Sequence, residues 1–115
     1  MPRVPLAASV SVTLDGSGNG RCRIGPASHG EVWRPSVASV HVSAPVANSP
    51  ECKVYCGAEV NDQNFRDATF TGEQDSTDRV SADILRLNYY VWAVWTGGDP
   101  GREATLNVTG EQDIP

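Results

Sequence analysis

Apolar and polar residues alternate along most of this chain. From Ala8 to Leu14, for example, each apolar residue is followed by a serine or a threonine. A period of two is typical of a β-strand with one buried face, and no segment has the sustained 3.6-residue period of an amphipathic helix. The pattern predicts strands at residues 8–14, 21–25, 31–34, 36–44, 51–57, 67–71, 88–95 and 102–109.

Short segments rich in Gly, Pro, Asn and Asp separate these strands. Seven or eight short strands with regular turns are typical of an all-β sandwich or barrel. A chain of 115 residues has the size of one domain. We therefore expect a single antiparallel β-sandwich, Ig-like or jelly-roll-like, over residues 1–115, with residues 1–7 as a candidate N-terminal arm.

Two glycine-rich segments predict tight connections between strands. Asp15–Gly20 reads DGSGNG and Thr96–Gly101 reads TGGDPG. Glycine and asparagine accept the positive φ that hairpin turns require, so both segments predict β-hairpins. Pro35 should end the short strand before it, because a proline disfavours helical geometry in the residue that precedes it.

The segments between 58 and 87 have weaker patterns. Asn61, Asp62 and Asn64 favour turns, and Gly72–Arg79 is the most polar segment, which we expect to be a mobile loop. Val80–Leu87 is ambiguous: Ser81 could cap one helical turn, or Ile84–Leu87 could be a short extended segment that leads into the next strand.

The strand at 88–95 is apolar on both sides. We expect Tyr90, Trp92 and Val94 to face the core, with Trp92 at its centre. The other side is then too apolar to face water, which indicates a partner or a terminal segment that covers it. The candidate partner-contact residues, including two from the N-terminal arm, are Tyr89, Val91, Trp95, Arg3 and Leu6.

Charge and hydropathy exclude two classes of partner. The formal net charge is −5, and the nine cationic residues are scattered, so the sequence predicts no nucleic-acid surface. No apolar run approaches the roughly 20 residues of a membrane helix. The apolar run near Leu6 is too short for a secretion signal, so we expect synthesis in a cytoplasm.

The three cysteines do not form an obvious disulfide pattern. On a strand, Cys52 and Cys56 would lie about 13 Å apart, whereas a disulfide requires Cα atoms within about 7 Å. The pattern predicts three buried thiols, and a bridge from Cys22 to one of the other two stays open.

The candidate catalytic and metal-binding residues lack companions. His29 lies in a predicted loop and His41 on the wet face of a strand. DGSGNG matches the first half of a calcium loop, but Pro26 occupies the twelfth position in place of Glu. The acidic residues from Glu73 to Asp83 favour a solvated loop over a cation site, and Cys52 with Cys56 does not have zinc-site spacing. We expect no cofactor, no metal and no enzymatic activity.

Several motifs together resemble a known group of proteins. They are Val32-Trp-Arg-Pro35, Cys52-Lys-Val-Tyr55, Gly72–Asp78, Val91–Gly101 and Ala104–Gly110. Their order resembles small structural proteins of tailed phages of actinobacteria, although the DGSGNG segment has no counterpart there. The resemblance implies a β-sandwich virion component, such as a head-decoration or minor tail protein. It also implies that the chain binds copies of itself and other virion proteins, namely major capsid or tail proteins.

A second function fits the same aromatic residues. Exposed aromatic side chains serve as stacking platforms in carbohydrate-binding modules, so Trp95 and Tyr89 could bind a glycan or another host-surface molecule. This alternative is a binding module and not a structural protein. A glycan-binding assay distinguishes the two functions.

Overall fold

The computed structural model describes residues 3–44, 46–69 and 71–115. Within these residues the chain forms eight strands and two short 3-10 turns, at Asp62–Asn64 and Arg79–Ala82. The strands are β1 (Arg3–Thr13), β2 (Gly20–Ile24), β3 (Val32–Val42), β4 (Glu51–Gly57), β5 (Phe65–Ala68), β6 (Gln74–Thr77), β7 (Tyr90–Thr96) and β8 (Glu103–Asp113).

The strands form two four-stranded antiparallel sheets that pack face to face. Sheet A has the order β1-β8-β3-β6 and sheet B the order β2-β7-β4-β5. The first strand pairs with the last, the second with the seventh, the third with the sixth and the fourth with the fifth. This nested pairing is the arrangement of an eight-stranded jelly roll. The predicted all-β sandwich is confirmed.

Both predicted hairpins are wrong, because each glycine-rich segment links the two sheets. Asp15–Gly20 connects β1 of sheet A to β2 of sheet B, and Thr96–Gly101 connects β7 of sheet B to β8 of sheet A. The two connections meet at one end of the sandwich, where Gly98 N donates to Gly18 O. Turn residues permit a sharp reversal, but they do not select which strand pairs next.

The core-facing side of β7 is the opposite of the predicted one. Val91, Ala93 and Trp95 are fully buried, whereas Tyr90, Trp92 and Val94 point outward and are half-buried. Trp95 Nε1 donates to Gly72 O at 2.9 Å, so the buried indole has a partner for its polar atom. The pattern failed here because both sides of β7 are apolar and no polar residue marks the outer one.

Elsewhere the alternation identified the buried face correctly. Cys52, Val54 and Cys56 point into the core, as predicted, and so do Val40 and Val42. The core between the sheets also includes Leu6 of β1, Leu14 directly after β1, and three residues of β8: Ala104, Leu106 and Val108.

The predicted N-terminal arm is a strand. β1 begins at Arg3 and pairs with β8 along its whole length, from Arg3 opposite Asp113 to Thr13 opposite Glu103. Met1 and Pro2 lie outside the described residues. The periodic pattern in fact continues to Val4, and Pro5 hid it because proline is uncommon within strands.

Pro35 does not end a strand either. β3 continues through it to Val42, with a bulge between Pro35 and Val37 opposite Gly110. A bulge tolerates the missing proline N–H. The predicted strands 31–34 and 36–44 are therefore parts of one strand.

The segment from residue 65 to residue 85 is more ordered than predicted. The strand expected at 67–71 is β5, which lies slightly earlier, and Phe70 lies outside the described residues. The expected mobile loop contains β6, which pairs with β3. A helical turn follows, as one of the two alternatives had it, but its N-cap is Asp78 and not Ser81.

Candidate functional site

The outer surface of sheet B carries a row of large side chains that crosses all four strands. In the strand register, Arg23 of β2 lies opposite Trp92 of β7, Trp92 opposite Tyr55 of β4, and Tyr55 opposite Phe65 of β5. Tyr90 adjoins this row from the same side of β7. We call these five side chains the aromatic face: Arg23, Tyr55, Phe65, Tyr90 and Trp92.

The rings of the aromatic face pack edge to face. The centroids of Tyr55 and Phe65 are 5.6 Å apart with an angle of 74° between the rings. Those of Tyr90 and Trp92 are 5.9 Å apart at 79°. Trp92 Nε1 also donates to Gly57 O at 3.0 Å. These contacts hold the side chains in fixed positions, so a ligand would meet a preorganised apolar surface.

Arg23 adds a positive charge to this surface. Its guanidinium carbon lies 4.3 Å from the ring centroid of Tyr90 and 5.2 Å from that of Trp92. Both distances are within the range of a cation–π interaction. The rest of the outer surface of sheet B adds Arg21 and Lys53, and one carboxylate, Glu51, pairs with Lys53 at 3.6 Å. This surface is thus locally cationic on a chain whose net charge is −5.

The five predicted partner-contact residues do not form one surface. Val91, Trp95 and Leu6 are buried in the core, so they are not accessible to a partner. Tyr89 is 52% exposed, at the entrance to β7. Arg3 is exposed at the start of β1 and pairs with Asp113 at 3.2 Å, on sheet A.

The sequence pattern identified the aromatic strand correctly, but it assigned the wrong side of that strand to the core. A signal that could have corrected it is Arg23, which lies on the outer side of β2 by alternation. Arginine beside tryptophan and tyrosine on one face is a common composition of protein interfaces. That signal needs the pairing of β2 with β7, which the local pattern did not contain.

Both histidines are exposed. His29 lies in the connection between β2 and β3. His41 lies on the outer surface of sheet A, along a shallow polar depression that includes Ser39, Ser76 and Asn107.

The three cysteines are free and buried. Burial raises the pKa of Cys22 to about 11 and that of Cys52 to about 12. Burial also raises the pKa of Cys56, and the neighbouring Asp83 carboxylate raises it further. Thiols with raised pKa are weak nucleophiles at neutral pH. Because all three thiols are free, the structure contains none of the Cys22 bridges that the sequence left open.

The Asp15 side chain organises the DGSGNG turn by accepting hydrogen bonds from the backbone of that turn. Its carboxylate accepts hydrogen bonds from Ser17 N at 2.9 Å and from Asn19 N at 3.0 Å. The bonds from Asn19 and Ser17 lower the pKa of Asp15. Among the described residues, no group of three or more His, Cys, Asp or Glu side chains is arranged to hold a metal ion.

Within the part of the chain that the structure describes, no helix has the length and hydropathy to cross a membrane. Comparison with protein-family models, with curated proteins and with solved structures finds no significant match to this chain.

Proposed function

We propose that this chain is a non-enzymatic structural component of a phage virion, made in the host cytoplasm, which binds other virion proteins through the aromatic face. The observation that carries the proposal is the composition of that face. Tyrosine, tryptophan, phenylalanine and arginine are enriched in protein interfaces, and tyrosine, tryptophan and arginine are also enriched in their energetic hot spots. Here they lie together on one sheet surface, in fixed positions.

The charge of this surface defines the chemistry of the partner. Arg23 lies beside Trp92, and Arg21 and Lys53 flank Val94 in the next row of the same surface. Glu51 is the only carboxylate in the outward row of β4. A suitable partner is a protein surface with an apolar recess bordered by Asp or Glu. Such a pairing favours capture of the chain by another protein over contact between two aromatic faces, because two cationic surfaces repel one another.

The fold and the sequence resemblance support the same function. Jelly rolls occur in viral capsid proteins, as well as in lectins. Fold analogy alone does not establish a function, since one fold carries many. Combined with the resemblance to actinobacteriophage structural proteins, it favours a virion component that decorates or stabilises a capsid, or forms part of a tail.

The proposal is tested on particles of the phage that encodes the chain. We expect mass spectrometry of gradient-purified virions to detect the wild-type chain at a fixed copy number. Trp92→Ala should lower incorporation at least about tenfold, which corresponds to a loss of roughly 1.4 kcal/mol in binding. Tyr89→Ala is the matched control, because Tyr89 is an exposed aromatic residue outside the aromatic face.

Two outcomes would contradict the proposal. Purified virions without the chain would exclude a virion component. Equal incorporation of the Trp92→Ala variant and the wild type, with folding intact by circular dichroism, would exclude the aromatic face as the contact surface.

A carbohydrate- or host-surface-binding module is the second candidate, and the partly exposed rings of the same face favour it. Its weakness is geometric. Sugars stack on open, flat ring faces, whereas Arg23 already lies over Tyr90 and Trp92, and the rings meet at steep angles. Glycan-array binding that Trp92→Ala abolishes would support this candidate; a blank array would exclude glycans as ligands.

A further inference from the structure

The longest open edge of the sandwich belongs to β1. This strand has 11 residues and forms one end of sheet A. The other edge strands are shorter: β2 has 5 residues, and β5 and β6 have 4 each. A long open edge is a template for pairing with another strand, and proteins usually block such edges with charges, prolines or bulges.

The hydrogen-bond pattern identifies which backbone groups of β1 are open. Leu14 N donates to Arg102 O at 2.9 Å, which continues the β1–β8 register beyond Thr13. In antiparallel pairs every second residue bonds to the neighbouring strand. The even-numbered residues of β1 therefore bond to β8, and the odd-numbered ones direct N–H and C=O to the open side. Pro5 fits this pattern. It is one of the odd-numbered residues, so the N–H that proline lacks would not have bonded to β8.

The segment from Ala7 to Thr13 carries none of the usual blocking features. Its outward side chains are small, namely Ala7, Ser9, Ser11 and Thr13, and it has no charged residue, no proline and no bulge. Its inward side chains, Ala8, Val10 and Val12, are only partly buried although they pack against the core. The core is thus incompletely covered along this edge.

We propose that β1 is a self-association site, at which the segment Ala7–Thr13 pairs antiparallel with the same segment of a second copy of this chain. The two copies are related by a twofold axis beside Val10. Ala7 lies opposite Thr13 of the second copy and Ser9 opposite Ser11 of the second copy. The odd-numbered residues then exchange on the order of eight backbone hydrogen bonds, and the two A sheets become one eight-stranded sheet.

Side-chain packing favours a second copy as the occupant. In this register Val10 lies opposite Val10 of the second copy, and Val12 lies opposite its Ala8. These positions do not exchange backbone hydrogen bonds, so their side chains approach most closely. Each copy thereby covers the partly buried valines of the other, and no like charges lie opposite one another within the segment.

The charged side chains at the ends of β1 lie outside the segment and already have partners in the same chain. Arg3 pairs with Asp113 at 3.2 Å, and the Asp15 carboxylate accepts hydrogen bonds from Ser17 N and Asn19 N. On sheet B, Arg23 of the adjacent strand β2 leans over Tyr90 and Trp92 of β7, away from the open edge. Its charge therefore does not oppose the approach of the second copy.

This inference rests on the open edge of β1 and not on the proposed function, and it is tested on the purified chain alone. When the wild type is concentrated to about 1 mM, size-exclusion chromatography with light scattering should give the mass of two chains. Ser9→Pro with Ser11→Pro should give the mass of one chain, because proline removes N–H groups that point to the open edge and not to β8.

Two further variants keep the test decisive. Ser9→Lys with Ser11→Lys places four lysines side by side across the twofold axis, and should also give the mass of one chain. Ser9→Thr with Ser11→Thr keeps the N–H groups and should remain a dimer. Circular dichroism checks that each variant is folded.

Three results would overturn the inference: a wild type that is monomeric at about 1 mM, a dimer that persists in both the proline and the lysine variants, or a dimer that only Trp92→Ala disrupts. Absence of the chain from purified virions would instead contradict the proposed function, and it would not affect the inference of a β1 dimer.

Discussion

Arg66 and Asp83 form an ion pair with two hydrogen bonds, from Nε to Oδ2 at 2.8 Å and from Nη2 to Oδ1 at 2.9 Å. The pair connects β5, which contains Arg66, to Asp83, the residue directly after the 3-10 turn Arg79–Ala82. Both side chains are mostly shielded from water, and two parallel bonds of this kind are stronger and more directional than a single contact.

Replacing Arg66 with lysine should therefore destabilise the chain although the charge is kept. Lysine cannot form the two parallel bonds, and we expect a loss of about 1–2 kcal/mol in the free energy of unfolding by urea denaturation. Arg3→Lys is the control, because Arg3 is half-exposed and should lose less than about 0.5 kcal/mol. Equal losses would contradict the structural importance of the Arg66 pair.

The two tryptophans of β7 provide a direct test of which side faces the core. In each, the indole N–H at Nε1 donates a hydrogen bond to a backbone carbonyl, from Trp95 to Gly72 O and from Trp92 to Gly57 O. Trp95→Phe leaves a buried carbonyl without a donor and creates a cavity, so it should cost about 2–4 kcal/mol. Trp92→Phe should cost about 1 kcal/mol.

Urea denaturation followed by circular dichroism measures both losses. The reverse order, with Trp92 the more sensitive residue, would mean that the buried side of β7 is the one predicted from the sequence and not the one in the structure.

Alanine substitutions at Gly18 and Gly97 distinguish the cost of backbone strain from the cost of steric crowding. Both have a positive φ, of 75° and 76°, so alanine is strained at either position. A Cβ at Gly18 would lie 1.8 Å from Gly98 O, whereas one at Gly97 would meet nothing within 4 Å. Gly97→Ala should thus cost about 1–2 kcal/mol, and Gly18→Ala should cost roughly 3 kcal/mol or more, because the two turns must separate.

Thermal unfolding of the two glycine variants gives the comparison. Similar melting temperatures would show that the two turns are not in contact in solution.

Stability should fall at acidic pH because of hydrogen-bonded carboxylates. Bonds from Ala47 N and Asn48 N lower the pKa of Asp99 below the ordinary value of 3.8, and a hydrogen bond from Arg34, followed by one from Arg3, lowers that of Asp113 in the same way. A carboxyl group with a lower pKa in the folded state stabilises it above the unfolded pKa. That contribution disappears as the pH falls through the folded pKa.

The midpoint of urea denaturation should therefore decrease from about pH 4 downward. Asp99→Asn should flatten part of this dependence, and Asp78→Asn is the control, because the Asp78 side chain does not cap its turn. An Asp99→Asn profile parallel to that of the wild type would contradict the role of Asp99.

The sequence predicted buried faces well wherever polar residues marked the opposite face. Serines and threonines did so in β1, and Lys53 did so in β4. In β7 both sides are apolar, so a shift of one residue exchanged the inner and outer sides without conflict with any local pattern. The aromatic face was misplaced for that reason alone.

Strand pairing could not be predicted for a different reason. DGSGNG and TGGDPG have the composition of hairpin turns, and that composition describes only local backbone geometry. Whether the next strand joins the same sheet depends on distant contacts, such as Gly98 with Gly18. The bulge at Pro35 and the open edge of β1 likewise depend on β8, which lies far away in the sequence.

The nested pairing of the strands has a consequence for how the chain is made. Among the strands of the described residues, only β4 and β5 are both consecutive and paired, so their pairing closes the shortest loop, and each later pair joins ends that are farther apart. The last pair brings residue 3 to residue 113. Sheet A is therefore incomplete until residue 113 has left the ribosome, and the dominance of such distant contacts places the chain among slowly folding proteins.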